Sequence, residues 1–190
     1  MYLSTLYKTS SLLLLSLTVS AQNIMTNVYG THNDIHIDQI GDGNFLLVNI
    51  QGNLNDIKTT QANTSAIPNM LDVVVNGEYN EVDVVQENGA NLAKINIEGS
   101  GNDADVIQRG SGMHQLDLEI VGDDNVASIL QENEGNHSAM IKLENGGGPW
   151  NLELVQSGIA NTNINEQYLP DINGICYSSM GCNITLYKND

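Results

Sequence analysis

The sequence predicts an all-β solenoid of about six coils, each strand–turn–strand–turn and roughly 22 residues long. Three observations predict it. A strand of the form N-x-φ-x-φ-x-Q recurs along the chain. Its closing glutamines, Gln39, Gln61, Gln86, Gln108, Gln131 and Gln156, hold a period of about 22 to about 25 residues throughout. Between successive copies lies a second alternating strand, set off by Gly- and Asn-rich turns.

Residues 1–21 read as a leader rather than as part of this repeat. Lys8 supplies the positive flank, Leu12–Val19 (LLLLSLTV) the short apolar core, and Val19-Ser20-Ala21 a small-residue cleavage pattern. Cleavage after Ala21 and export are expected. The apolar run is too short to span a bilayer. What remains, about 170 residues, is one domain's worth of chain. Residues 22–31 form an N-terminal segment, 32–167 the repeat region, and 168–190 a short irregular tail.

Within the repeat region the first strand type appears as Asn33–Gln39 (NDIHIDQ), Asn55–Gln61 (NDIKTTQ), Asn80–Gln86 (NEVDVVQ), Asn102–Gln108 (NDADVIQ) and Asn125–Gln131 (NVASILQ). Trp150–Gln156 (WNLELVQ) keeps the spacing with Trp150 at the entry position. The second type appears as Asn44–Ile50, Asn69–Val75, Asn91–Ile97 and His114–Ile120, with aliphatic residues two, four and six places after entry. A fifth copy, His137–Leu143, fits if the register moves one residue past Asn136. A sixth, Asn161–Gln167, places polar residues at the inward positions and reads as a fading end. The two widest intervals contain Asn63–Asn69 (NTSAIPN) and Asn145–Trp150 (NGGGPW). Each holds a proline, which cannot donate to a strand ladder and so belongs in an enlarged corner.

Residues 168–190 leave the pattern and carry both cysteines, Cys176 and Cys182. In an exported chain these are expected to form a short-loop disulfide. With no histidine nearby they do not suit zinc. The tail is either a cap for an exposed strand edge or a docking element.

Stacking coils at about 4.8 Å lays equivalent residues over one another. Two amide ladders are therefore expected: Gln39, Gln61, Gln86, Gln108, Gln131 and Gln156, and the entry residues Asn33, Asn44, Asn55, Asn80, Asn91, Asn102 and Asn125. A buried amide without a partner costs roughly 1–3 kcal/mol, so the ladders fix register while the aliphatic rows supply the drive to bury.

The turn segments QIGDGN (Gln39–Asn44), QENGAN (Gln86–Asn91), QRGSGMH (Gln108–His114), QENEGN (Gln131–Asn136) and QSGIAN (Gln156–Asn161) resemble the Q-x-G-x-x-N core of curlin repeats. The chain is thus similar to the curli subunits, secreted bacterial proteins that form amyloid fibres. The resemblance covers about residues 32–167. It implies a self-assembling, amyloid-like fibre subunit, major or nucleating, with roles in biofilm matrix, adhesion and cell aggregation. Its implied partners are further copies of itself, other curli-type subunits, and an outer-membrane secretion pore with accessory factors. The curli repeat begins with Ser and ends with a second Gln. Here Asn replaces the Ser, and Ile50, Val75, Ile97 and Ile120 stand where that Gln would be.

Charge and composition narrow the alternatives. The formal charge is −17, or −18 once Lys8 leaves with the leader. Such acidity argues against nucleic acid and anionic membranes, whose phosphates need Lys and Arg, and nothing predicts membrane insertion. Asp34, Asp56, Glu81 and Asp103 form one outward row, and Asp83 and Asp105 belong to the next. They suit gatekeepers that keep the exported monomer soluble, a calcium-binding strip, or an ordinary solvated face. His32, Asp34, His36 and Asp38 share a strand face, but same-face neighbours about 7 Å apart do not make a transition-metal site. No cofactor is expected. Nor is an enzyme: one arginine, dispersed acids and no nucleophile–base set leave no catalytic constellation. The competing reading is a monomeric, capped solenoid that binds a ligand or surface, through calcium.

Overall fold

A computed structural model of the chain describes residues 2–7, 14–19, 23–63, 66–88, 90–144, 149–157, 162–166 and 182–188. The strands in chain order are β1 (Tyr2–Tyr7), β2 (Leu14–Val19), β3 (Asn23–Tyr29), β4 (Asp34–Ile40), β5 (Phe45–Gln51) and β6 (Asp56–Ala62). They continue as β7 (Met70–Asn76), β8 (Glu81–Glu87), β9 (Leu92–Glu98), β10 (Asp103–Arg109), β11 (His114–Gln115) and β12 (Ile120–Val121). The last are β13 (Val126–Glu132), β14 (His137–Ile141), β15 (Leu143–Glu144), β16 (Trp150–Ser157), β17 (Thr162–Glu166) and β18 (Cys182–Lys188). They make a parallel β-solenoid of about five turns with a repeat of about 23 residues, and no helix among the described residues.

Two sheets face each other. The first runs β1-β3-β5-β7-β9-β11-β14-β17, with β12 and β15 completing the interrupted strands. The second runs β18-β16-β13-β10-β8-β6-β4-β2. Period-2 alternation explains why the chain accepts this arrangement. In β8 the residues Val82, Val84 and Gln86 are buried while Glu81 and Glu87 are exposed. The interior stacks aliphatics in rows, such as Leu46, Leu71 and Ala93, or Ile50, Val75, Ile97 and Ile120. The second of these is the row where the curli pattern has an amide, and here it is apolar and dry.

One buried row is imperfect. Thr59 lies between Ile37 and Val84 in register, and its Oγ1 has no hydrogen-bond partner. An unmet buried hydroxyl costs about 1–3 kcal/mol. Thr59→Val is therefore expected to stabilise the chain by about 1 kcal/mol, read as a higher urea midpoint. An unchanged or lower midpoint would show the hydroxyl to be satisfied.

The corners repeat too. Gly52, Gly77, Gly99 and Gly122 each begin a turn whose third residue precedes the entry asparagine, and Leu54, Tyr79, Gly101 and Asp124 occupy that third place in the left-handed region. Gly77 is the tightest kind of case. At φ 145° it brings its backbone so close to the next coil that a Cβ would lie 1.7 Å from the Gly99 carbonyl oxygen. The enlarged corner around Pro68 leaves register intact: β6 pairs with β8 from Asp56↔Glu81 through Ala62↔Glu87. Asn63 Nδ2 ties that corner down by donating to Ile67 O at 2.7 Å. The segment 145–148 lies outside the described residues.

The structure extends the sequence reading at both ends. β3 falls inside the expected N-terminal segment 22–31, with Ile24, Thr26 and Val28 buried beneath Leu46, Val48 and Ile50. Its lack of an entry asparagine and its central threonine hid it. Residues 2–7 and 14–19 pair in parallel with β3 and β4, whereas the sequence reading places residues 1–21 outside the fold. The one-residue shift at His137 is as expected, with His114↔His137 in register. The next strand corrects the reading of Asn161–Gln167. Thr162, not Asn161, is level with His137, so Ile164 rather than Asn163 takes the row of Ala139. The tail, read as irregular, contains β18, which pairs antiparallel with β16. Cys176 lies outside the described residues, so the Cys176–Cys182 pairing is not described.

Candidate functional site: the stacked amide ladders

The glutamines form one continuous column. Gln61 Nε2 donates to Gln86 Oε1 at 2.8 Å, Gln86 to Gln108 at 2.9 Å, Gln108 to Gln131 at 2.7 Å and Gln131 to Gln156 at 2.6 Å. Gln39 begins the column by donating to Gln61. The second amide hydrogen crosses to the facing sheet: Gln61 reaches Phe45 O at 3.2 Å, Gln86 reaches Met70 O at 3.0 Å, and Gln156 reaches Ser138 O at 3.1 Å. Gln61 and Gln86 thus each lock their coil to the next and their own two strands to each other. All six are buried.

The column has a direction. Every donor points toward the C-terminal end, so its N-terminal end is an acceptor, and Gln39 Oε1 is buried without a hydrogen-bond partner. The residue level with Gln39 on β2 is Val19. Valine has no group to donate.

The asparagine column at the second sheet's corner runs the other way. Asn55 donates from both its backbone N and its Nδ2 to Asn33 Oδ1, at 3.0 Å each. Asn80, Asn102 and Asn125 repeat this onto Asn55, Asn80 and Asn102. Asn33, Asn55, Asn80 and Asn102 also hold the neighbouring glycine turn, as Asn80 Nδ2 does Gly99 O at 2.9 Å. Trp150 has no side-chain acceptor of this type, and its backbone N reaches Asn125 Oδ1 at 3.0 Å. The amide column ends there, whereas the glutamine column passes through.

At the opposite corner the ladder begins Asn44, Asn69, Asn91. Asn69 N donates to Asn44 Oδ1 and Asn91 Nδ2 to Asn69 Oδ1, both at 3.2 Å. Asn69 belongs to this column although the expected ladder omits it. So do His114 and His137. His114 Nδ1 sits 2.8 Å from Asn91 Oδ1, and its ring stacks on His137 at 5.3 Å between centroids. The signal was present, since His114 opens a strand of the same spacing as Asn91.

Burial, and next the neighbouring His137, pull the His114 pKa down to about 4, and the polar backbone of Asn133 offsets this only in part. The folded value lies below the unfolded one, so the neutral ring's stability is present above 6.5 and is lost as pH falls toward about 4. The loss should reach about 3 kcal/mol. His114→Asn, which restores the ladder amide, is expected to remove it. In urea titrations the gap between wild type and variant should widen steadily as pH falls from 6.5 to 4. A gap independent of pH would contradict this.

The outward acids fall in the expected rows: Asp34, Asp56, Glu81 and Asp103 are level, as are Asp83 and Asp105. Lys58 bridges the first row, with Nζ 3.0 Å from Asp56 and 3.3 Å from Glu81. Those two hydrogen bonds hold the Lys58 pKa above its usual value. Partial burial raises the carboxyl pKa of Asp83, Asp103 and Asp105. Glu81 adds to it at Asp103, and Asp83 and Asp103 add to it at Asp105. Among the described residues no group of three His, Cys, Asp or Glu converges as a metal site would require.

Residues 77–110 match the family model described as the Curlin associated repeat. No curated protein and no solved structure matches the chain. The matched span runs from Gly77 to Gly110 and holds β8, β9 and β10, with Gln86 and Gln108 in the column.

Proposed function

We propose, from this curlin repeat and the solenoid built on it, that the chain is a secreted structural subunit of a curli-type extracellular fibre. Copies stack end to end, so that the fibre continues the two sheets of the single chain. The observation that carries this reading is the polarity of the glutamine column. Its N-terminal end is an acceptor, Gln39 Oε1, with no donor among the described residues. A Gln156 amide from a second copy has the matching chemistry and stands at the matching row. Removal of residues 1–21 after export would take β1 and β2 away and make β3 and β4 edge strands. The fibre's role would be structural, in biofilm matrix, adhesion and cell aggregation, rather than catalytic. Export would use an outer-membrane pore, and assembly would involve other curli-type subunits as nucleator or elongating partner.

The acidic rows act in this reading as gatekeepers. The raised carboxyl pKa values of Asp83, Asp103 and Asp105 mean that at these three sites the folded stack binds protons more tightly than the unfolded chain. The resulting stability is fully present below 3.8 and is lost as pH rises through the raised values. Joining two copies adds further like charges to each row, so acid should also ease assembly. The chain from residue 22 onward is expected to form fibres with cross-β reflections at about 4.7 Å and about 10 Å. The lag should be shorter at about pH 4.5 than at about pH 8. A soluble chain that gives neither reflection would refute the fibre role, and equal lags would refute the gatekeepers alone.

The competing reading, a monomeric capped solenoid that binds a ligand or surface through calcium, draws on β18, which covers the outer edge of β16.

A further inference from the structure

We infer that the outer face of the first sheet is a second assembly surface, on which two end-to-end stacks of this chain pair side by side. The inference rests on the fibre reading above and concerns what flanks a stack, not what extends it. Outward positions of β3, β5, β7 and β9 fall in rows. The first row is Asn23, Phe45, Met70 and Leu92, and the second is Met25, Leu47, Asp72 and Lys94. Met25, Met70 and Leu92 stand 44%, 46% and 41% exposed. Phe45, Met70, Leu92 and Leu116 line a groove of about 300 Å³, and on its rim Lys94 and Asp117 pair at 3.6 Å. Interdigitating side chains from a facing sheet fill such a groove.

The charge of the two outer faces decides which face can meet a second copy. On β4, β6, β8 and β10 the outward positions hold eight carboxylates against two cations, Lys58 and Arg109, a net of −6. On β3, β5, β7 and β9 they hold Asp72 and Glu98 against Lys94, a net of −1. Facing sheets pack about 10 Å apart, a distance comparable with the Debye length, so two acidic faces repel. An acidic face laid on the apolar one would strip water from carboxylates and offer them no partner. The first sheet's face against its own copy is the pairing that remains. A self-complementary contact of this kind closes as a twofold pair. It leaves both acidic faces in water and so stops at two stacks.

Size decides when the pairing forms. Four strands about 4.8 Å apart, each seven residues of about 3.3 Å, present about 440 Å². A stable complex uses about 800 Å² on each partner. Two single chains therefore fall short. In a stack the patch recurs once per copy, and every contact after the first is made within an already joined pair. Pairing follows elongation, and the soluble chain stays monomeric.

The test uses fibres of the chain from residue 22 and measures mass per unit length by scanning transmission electron microscopy. Wild-type fibres are expected to weigh twice a single stack, and Met70→Glu fibres to show a fall of about twofold. Val126→Glu makes the same charge change at an exposed outward position of the second sheet and should leave the wild-type value. Wild-type fibres of single-stack mass, Met70→Glu fibres of double mass, or Val126→Glu fibres of single mass overturn the pairing and leave the fibre reading standing. Should Met70→Glu fail to fold or assemble, the wild-type chain decides. Peroxide should oxidise Met70 more slowly in fibres than in the soluble chain, relative to Met113, which is exposed at a corner. An unchanged ratio of the two rates overturns the pairing. A wild-type chain that forms no fibres overturns both readings.

Discussion

Gln86→Leu is expected to destabilise the soluble chain by about 2–5 kcal/mol, far more than a polar-to-apolar exchange at a surface site. Gln86 accepts from Gln61, donates to Gln108 and holds Met70 O on the facing strand. Leucine fills the space but answers none of the three. A Gln61 N–H, the Gln108 Oε1 and the Met70 carbonyl lose partners in a dry interior, each at about 1–3 kcal/mol. The gain from burying a leucine, about 2 kcal/mol, offsets only part of this. Whole domains are held by about 5–15 kcal/mol, so the loss is large. One corollary separates the ladder from simple packing. Replacing all six glutamines by leucine should cost less per site than replacing Gln86 alone, because a fully apolar column orphans fewer amides. Urea midpoints of the single and sixfold variants would show it. A single variant close to wild type would mean the ladder is ornamental.

Gly77→Ala should be comparably damaging for a different reason. Its added Cβ meets the backbone carbonyl of Gly99 at 1.7 Å and its carbon at 2.7 Å, neither of which can move without separating two coils. The φ of 145° adds strain for any L side chain. A loss of about 3 kcal/mol or more is expected, with clash and backbone strain together. Gly43→Ala is the matched control. Its φ of 79° is also left-handed, but the nearest atom to a Cβ is Pro68 Cβ at 3.6 Å. That substitution should cost only about 1 kcal/mol of backbone strain. Equal costs at the two glycines would show that coil contact is not what selects Gly77.

Gln86 and Gly77 differ greatly in how visible their roles are in sequence. The glutamine column was legible because a polar residue recurring at a fixed period among aliphatics has one economical explanation, a stack. The aliphatic rows followed from alternation, and the acidic rows from parity. Gly77 was visible only as part of a turn. Its close approach depends on how tightly neighbouring corners nest, which spacing alone does not report. The histidines were hidden by chemistry. An imidazole in an asparagine column matches the position but not the residue type, so the expected ladder omits His114 and His137, whose rings stack in it. β3 was missed because its coil lacks the entry asparagine, and Thr162 because the amide-rich stretch NTNINEQ offers two plausible registers. β18 could be recognised as an alternating segment. Its antiparallel direction against β16 is not encoded in the alternation of its own residues, which fits either direction.

In the proposed fibre the column crosses from one copy to the next, with Gln156 of one chain against Gln39 of another. Fibres grown from an equal mixture of 15N-labelled and 13C-labelled chains test it by solid-state NMR, because every 15N–13C contact in them joins two copies. A contact between the Gln156 Nε2 and the Gln39 side-chain carbonyl is expected, and none between Gln86 and Gln86. Contacts of each glutamine with its own counterpart, as in a flat sheet of identical chains in register, would contradict end-to-end stacking.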